Sequence, residues 1–138
     1  MAFTAALRKD VWRRASERCE YCLVPVEFDA SPACIDHIIA IKHLGPTIFA
    51  NLALSCYHCN GFKGDNIAGL DPDTSQITPL FHPRNETWAD HFSWSGATIL
   101  GLTPAGRATF YVLNFNDPDR VLLRELLGAA NLMRLSAT

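Results

Sequence analysis

The chain carries two Cys-x-x-Cys pairs, Cys19-Glu-Tyr-Cys22 and Cys56-Tyr-His-Cys59, separated by the 33 residues 23–55. Each pair offers two thiolates on one tight turn, and two such turns complete a tetrahedral sulfur shell for Zn²⁺. A fifth cysteine, Cys34, stands outside the pairs, so a complete disulfide framework would leave one thiol over. We therefore expect a structural zinc site built by Cys19, Cys22, Cys56 and Cys59. The alternatives are a redox Cys-x-x-Cys site, whose usual βαβ context the sequence lacks, and buried free cysteines.

Four polar residues lie between the two pairs or directly after them. Asp36 and His37 belong to a β-branched stretch, residues 35–41, that predicts a strand. Asn51 precedes a stretch that could be strand or extended loop, and Asn60 opens a short helix that should end near Gly64. Singly, each has an ordinary explanation as a packed, surface or capping residue. Together they form a pattern that chance produces far less often.

This series resembles the HNH endonucleases, which have a ββα-metal site. The matching motifs are Cys-x-x-Cys, Asp36-His-Ile-Ile, and Asn51-Leu-x-Leu-x-Cys-x-x-Cys-Asn-x-x-Lys-Gly64, over about residues 15–66. Motifs between Gly69 and Arg107 also resemble a tail that is common among small HNH proteins. The resemblance implies a ββα-metal (HNH, or His-Me finger) core stapled by two Cys-x-x-Cys knuckles. An N-terminal helix and a C-terminal hairpin plus helices would complete one nuclease domain over 1–138, with the core at about 15–66 and the elaboration at about 67–138.

The resemblance also implies a role for each polar residue. His37 would be the general base that activates water, and Asn51 would fix the loop that orients it. Asp36 and Asn60 would hold one catalytic divalent ion, Mg²⁺ or another such as Mn²⁺. The four paired cysteines would hold zinc. The sequence departs from the family's name at Asn60, where many members carry histidine, which makes it an HNN variant that keeps an oxygen ligand.

Reasoning from the residues alone agrees with these roles. A neutral imidazole is a suitable base near pH 7, and a divalent ion can polarise a phosphate and stabilise the departing oxygen. Neighbouring residues on a regular strand point to opposite faces, so Asp36 and His37 would flank one phosphate rather than grip the same ion. That arrangement suits in-line displacement with one metal. A single carboxylate and a single amide make a weak Mg²⁺ site, which would recruit phosphate oxygens from the substrate.

The charge balance limits how the protein could hold DNA. The net charge is −2 and the pI is about 6.2, so bulk electrostatic attraction to nucleic acid is excluded. Five of the twelve basic residues nevertheless fall within the first eighteen positions. We take Arg13, Arg14, Arg18 and Lys63 as candidate phosphate contacts, with a solvated helix face as the alternative.

Patterning along the 138 residues predicts an α+β domain. Thr4 is a candidate N-cap for an amphipathic helix over residues 4–18. Residues 65–87 are rich in Pro, Asp and Asn, which predicts an ordered segment without regular secondary structure. Residues 91–102 predict a hairpin, and the pairs Thr103-Pro104 and Asp117-Pro118 each predict the start of a helix.

Composition indicates neither a membrane protein nor a secreted one. No apolar run approaches the roughly 18 residues of a membrane span, and the apolar start is too short for a signal peptide. We expect a cytoplasmic protein.

The leading functional hypothesis is a metal-dependent endonuclease that nicks or fully cleaves DNA by a one-metal mechanism with His37 as base. The alternative is a non-catalytic zinc module that binds nucleic acid or a protein partner. A third class, a redox sensor that releases zinc on oxidation, requires exposed thiolates of low pKa. Whether the chain pairs with a second copy or with another protein is left open.

Overall fold

The computed structural model describes residues 3–135, and its architecture is α+β, as predicted. Within that range, small antiparallel strand pairs alternate with five α-helices, and the strands form three separate two-stranded sheets. None of these helices combines the length and apolar character needed to cross a bilayer. The elements in chain order are α1 (Ala5–Arg14), β1 (Cys34–His37), β2 (Leu52–Ser55), α2 (Tyr57–Lys63), β3 (Ala68–Leu70), β4 (Ile77–Pro79), α3 (Trp88–His91), β5 (Phe92–Ser95), β6 (Thr98–Gly101), α4 (Pro104–Val112) and α5 (Pro118–Ala129).

Helix α1 seals one face of the strand pair that follows it. Thr4 is its N-cap, as predicted, because the Thr4 hydroxyl oxygen accepts a hydrogen bond of 3.1 Å from the Leu7 amide. Val11 is fully buried and packs with Leu52 and Leu54 of β2. The helix ends four residues earlier than predicted, since residues 16 and 17 adopt left-handed backbone conformations that no α-helix can continue.

Strands β1 and β2 and helix α2 form the predicted ββα unit. The strands pair antiparallel, with Cys34 opposite Ser55 and His37 opposite Leu52. Helix α2 begins directly after β2 and ends at Gly64, whose φ of +51° favours glycine. The unit therefore places the end of β1 beside the start of α2, which brings Asp36 and His37 towards Asn60.

Residues 65–87 are more regular than predicted, because they contain the β3–β4 hairpin. The turn of this hairpin is held by Asp71, whose carboxylate accepts two hydrogen bonds of 2.9 Å from Arg107 of α4. Asp71 Oδ1 also accepts a 3.0 Å bond from the Asp73 amide. A contact from 36 residues away thus orders a segment whose local composition indicates irregular structure.

The C-terminal half follows the predicted order. Strands β5 and β6 form the hairpin, and both later helices start at their proline, with Thr103 and Asp117 as N-caps. The four-residue α3 was not predicted. The largest apolar cluster is shared between this half and the first knuckle, and its buried members include Cys19, Tyr21, Phe81, Phe92, Ile99, Leu113, Phe115 and Leu127.

Arg124 of α5 is fully buried in this half. Its guanidinium donates to the Ala97 carbonyl at 2.7 Å, the Phe115 carbonyl at 2.8 Å and Asn116 Oδ1 at 3.1 Å. One side chain thereby satisfies acceptors on the β5–β6 turn and on the segment between α4 and α5.

We expect Arg124→Met to lower the free energy of unfolding by about 2–4 kcal/mol, because buried carbonyls would lose a charged donor. Urea titration followed by tryptophan fluorescence measures the change. The control is Arg13→Met, which removes an arginine whose side chain is 77% exposed and should cost under about 0.5 kcal/mol. Equal stability of the two variants would contradict this account of Arg124.

Candidate active site

The four paired cysteines converge on one point. Their Sγ atoms all lie within 4.8 Å of one another, and all four residues are buried. The two knuckles have the same local geometry: the Cys22 amide donates to Cys19 Sγ at 3.4 Å, and the Cys59 amide donates to Cys56 Sγ at 3.3 Å. Two matching turns thus face each other across a small sulfur-lined space.

The chemistry of this sulfur cluster fits zinc. Burial, with further contributions from the neighbouring cysteines, raises the pKa of the Cys59 thiol well above its usual value. A divalent cation removes that penalty, because a coordinating thiol is deprotonated by the ion. Four thiolates from two Cys-x-x-Cys turns are a structural zinc ligand set. Complete burial also argues against the redox sensor, which needs exposed thiolates.

Asp36 is buried on β1 and is held from two directions. The Tyr21 hydroxyl, from inside the first knuckle, donates to Asp36 Oδ2 at 2.6 Å. Lys63 Nζ, from the end of α2, lies 3.0 Å from the same oxygen. Burial raises the pKa of Asp36, while the Lys63 charge and the Tyr21 hydrogen bond act in the opposite direction. The carboxylate is therefore a fixed, partnered group beneath the cleft described below.

Lys63 does not lie where a phosphate contact would require it. The residue is 1% exposed, and its ammonium donates to the His37 and Ile38 carbonyls at 3.2 and 3.1 Å besides pairing with Asp36. All three proton donors are engaged inside the protein, which corrects the expectation of a DNA contact at this position. The sequence showed a lysine near the end of a short helix but not the buried acceptors opposite it.

His37 follows Asp36 and is half-buried. Its Nε2 lies 2.8 Å from Thr47 Oγ1, and its ring centroid lies 5.7 Å from that of Phe3. Neither partner was predicted, because both are brought to the histidine by the packing of distant segments. The two contacts hold the imidazole ring in place. The hydrogen bond to Thr47 involves Nε2, so Nδ1 takes no part in it.

Asn51 closes the loop that follows His37. Its side-chain amide donates to the Ile39 and Pro46 carbonyls at 3.0 and 2.9 Å, and its Oδ1 accepts from the Ile39 amide at 2.9 Å. Gly45 packs so tightly in this loop that a Cβ atom there would lie 1.7 Å from the Ile39 carbonyl oxygen. Asn51 thus acts on loop geometry rather than on the cleft itself.

A cleft of about 520 Å³ opens between β1 and α2. Asp36, His37 and Asn60 line it together, so three of the residues singled out in the sequence meet at one surface. Asp65, just beyond α2, adds a carboxylate that the sequence analysis did not single out. The remaining lining residues are Ile35, Ala40, Ile41, Lys42 and Gly64.

The three candidate arginines lie outside the cleft lining. Arg14 donates to the Phe49 carbonyl at 2.8 Å and to the Leu52 carbonyl, so its guanidinium is engaged in holding α1 to the ββα unit. Arg18 is half-buried and forms an isolated backbone bridge with Pro25. Arg13 has an exposed side chain, whose guanidinium lies 3.8 Å from the exposed carboxylate of Asp10 on the same helix.

We expect Lys63→Met to lower the free energy of unfolding by about 3–5 kcal/mol, because it leaves Asp36 buried without its cation. Urea titration measures the loss. The double variant Lys63→Met/Asp36→Asn should recover much of it, since the uncompensated charge is gone. Lys42→Met, at an exposed position, is the control. A single variant as stable as this control would show that the ion pair is dispensable.

Comparison with known proteins points in the same direction as the geometry. Residues 19–66 match the family model described as HNH endonuclease. The chain is also similar to the Septu protein PtuB of Bacillus thuringiensis, with 25% identity over 116 residues. That alignment covers 82% of this chain but 42% of the relative, so the chain spans less than half of the relative's length. No solved structure gives a significant match. The segment that matches the HNH endonuclease family, residues 19–66, folds as strands β1 and β2 followed by helix α2, with the second cysteine pair at the start of α2.

Proposed function

We propose that this protein is a metal-dependent endonuclease that hydrolyses phosphodiester bonds in DNA. The observation that carries the proposal is the lining of one cleft by Asp36, His37 and Asn60, inside the segment that matches the HNH family. The nuclease core would be residues 15–66, with residues 67–138 as a supporting elaboration of the same domain.

His37 is the proposed general base. With the proton on Nε2 donated to Thr47 Oγ1, Nδ1 carries the free lone pair. In the reaction, Nδ1 takes a proton from water, the resulting hydroxide bonds to phosphorus, and the bond from phosphorus to the leaving oxygen breaks. Asn51 keeps the following loop in place through its three backbone hydrogen bonds, which preserves the direction of the imidazole.

Asp36 and Asn60 are the proposed ligands of the catalytic divalent ion. Carboxylate and amide oxygens are ligands that Mg²⁺ and Mn²⁺ accept. The ion would supply charge stabilisation on the phosphate and the leaving oxygen. Because the chain offers few ligands, substrate phosphate oxygens and water would complete the shell, which couples metal binding to DNA binding.

The four clustered cysteines are the proposed ligands of a structural Zn²⁺. The first knuckle follows α1 and the second opens α2, so the ion would join two segments that lie on either side of the β1–β2 pair. Such an ion contributes folding free energy directly, because the ligand set does not exist in the unfolded chain.

We expect Cys56→Ala to lose both zinc and the cooperative unfolding transition, because three thiolates cannot close the shell. Metal analysis and thermal unfolding measure the two effects. Cys34→Ala, which changes the cysteine outside the cluster, is the matched control and should retain zinc. A folded, cooperative and zinc-free Cys56→Ala protein would contradict the structural role.

The decisive experiment is cleavage of supercoiled plasmid at low salt with Mg²⁺ or Mn²⁺. We expect wild type to cleave, EDTA to abolish the reaction, and His37→Ala to lose at least about 100-fold in rate while remaining folded. His43→Ala, which removes an exposed histidine of the neighbouring loop, should cleave normally. The ratio of nicked to linear product then reports whether one strand or both are cut.

Two outcomes would overturn the proposal. Equal cleavage by wild type and His37→Ala would assign the activity to another residue or to a contaminant. Absence of metal-dependent cleavage by a folded, zinc-loaded protein on plasmid, linear and single-stranded DNA would favour the non-catalytic zinc module.

A further inference from the structure

Tyr21 is a buried polar residue to which the proposed reaction gives no role. It lies between the two cysteines of the first knuckle and is 1% exposed. A buried hydroxyl needs a hydrogen-bond partner, and this one donates to Asp36 Oδ2 at 2.6 Å. The contact joins the proposed zinc site directly to a proposed ligand of the catalytic ion.

The two partners of Asp36 share one oxygen. Tyr21 and Lys63 both contact Oδ2, and Oδ1 has no hydrogen-bond partner among residues 3–135. Within residues 3–135, the fully buried side-chain polar atoms that lack a hydrogen-bond partner are three arginine Nε atoms. Asp36 Oδ1 is not among them, so this oxygen is not fully buried. Asp36 is one of the residues that line the cleft, and Oδ1 is its side-chain oxygen without a protein partner.

We propose that Tyr21 is a positioning residue for the catalytic cation: it holds Oδ2 of Asp36 so that Oδ1 faces the cleft as the single ligating atom. This inference rests on the proposed function, in which Asp36 binds that ion. Lys63 balances the buried charge, and Tyr21 fixes the rotation of the carboxylate. Two contacts on one oxygen, from different elements, restrict that rotation more than either alone.

The chain offers a matched pair of substitutions. Tyr21→Phe removes the hydroxyl and keeps the ring that packs in the apolar cluster. Tyr57 occupies the second knuckle, directly after Cys56, but is 62% exposed. Tyr57→Phe therefore makes the same chemical change beside the other half of the zinc site without touching Asp36.

Metal affinity is the first readout. We would use His37→Ala protein with duplex DNA, so that the complex is not consumed, and follow free Mn²⁺ by electron paramagnetic resonance. Adding Tyr21→Phe should weaken Mn²⁺ binding about 10–100-fold, the usual effect of removing a group that orients a metal ligand. Adding Tyr57→Phe should leave the affinity unchanged, and zinc content should be equal in all three proteins.

Cleavage gives a second readout. In the otherwise wild-type protein, Tyr21→Phe should raise the Mg²⁺ concentration for half-maximal rate by a similar factor. The rate at saturating Mg²⁺ should change much less. A residue that acted only on stability would lower the amount of folded protein without shifting this metal dependence.

A third measurement does not depend on the folding of a Tyr21 variant. The chain has three tyrosines, so carbon-13 labelling at the tyrosine Cζ gives three resonances. Adding Mg²⁺ to the labelled His37→Ala complex with DNA should shift the Tyr21 resonance, because a cation on Oδ1 weakens the hydrogen bond at Oδ2. The resonances of the exposed Tyr57 and Tyr111 should stay in place.

The outcomes separate this inference from the proposed function. Unchanged or tighter Mn²⁺ binding by Tyr21→Phe, or a Tyr21 resonance that ignores Mg²⁺, overturns the positioning role while cleavage by wild type stands. A His37→Ala complex that binds no Mn²⁺, together with a wild type that does not cleave, removes the proposed function and this inference with it.

Discussion

Convergence of four cysteine sulfur atoms is the constraint on which the ββα unit depends. The unit consists of two four-residue strands and a seven-residue helix. Elements this short are not stable alone in water, because their few hydrogen bonds do not offset the conformational entropy of ordering them. A cation bound by four thiolates would offset that cost, because it ties the turn after α1 to the start of α2. The strand pair then lies between two fixed points, and the end of β1 is held beside α2.

The cleft adds a second constraint: the Asp36 carboxylate is buried, and burial disfavours its charged form. Asp36 and Lys63 are both nearly inaccessible, and a buried ion pair seldom stabilises a protein more than apolar side chains of the same size would. Stability alone therefore does not explain this pair. The proposed function supplies a reason: as a ligand of the proposed catalytic ion, the Asp36 carboxylate would keep one oxygen free, and Lys63 would offset the cost of its charge when the ion is absent. Tyr21 and the carbonyls of residues 37 and 38 complete the polar contacts that the pair needs.

Local chemistry explains which features could be predicted from the sequence. Knuckles, helix caps and the strand-strand-helix order depend on residues within a few positions of each other, so Thr4, Thr103 and Asp117 were recognisable as caps. Side-chain direction at the site depends on distant residues. The buried position of Lys63 requires the carbonyls of the last residue of β1 and of the residue after it, and the hydrogen bond of Arg14 to Phe49 requires the loop before β2. The β3–β4 hairpin likewise needs Arg107, from a helix that comes later in the chain.

The C-terminal half also acts on the cleft, although its residues lie outside the segment that matches the family. Three of its side chains contact the first knuckle or the turn after it. Trp88 Nε1 donates to the Tyr21 carbonyl at 2.8 Å, Arg84 pairs with Glu20, and Arg120 pairs with Asp29 at 2.8 and 3.0 Å. Two of these contacts lie on the two residues between Cys19 and Cys22, one of which reaches Asp36. The backbone that carries the Tyr21 hydroxyl is thus held by the clustered cysteines on either side and by contacts from the C-terminal half. The cleft on this short ββα unit gains rigidity from this arrangement, and residues 67–135 support the cleft without lining it.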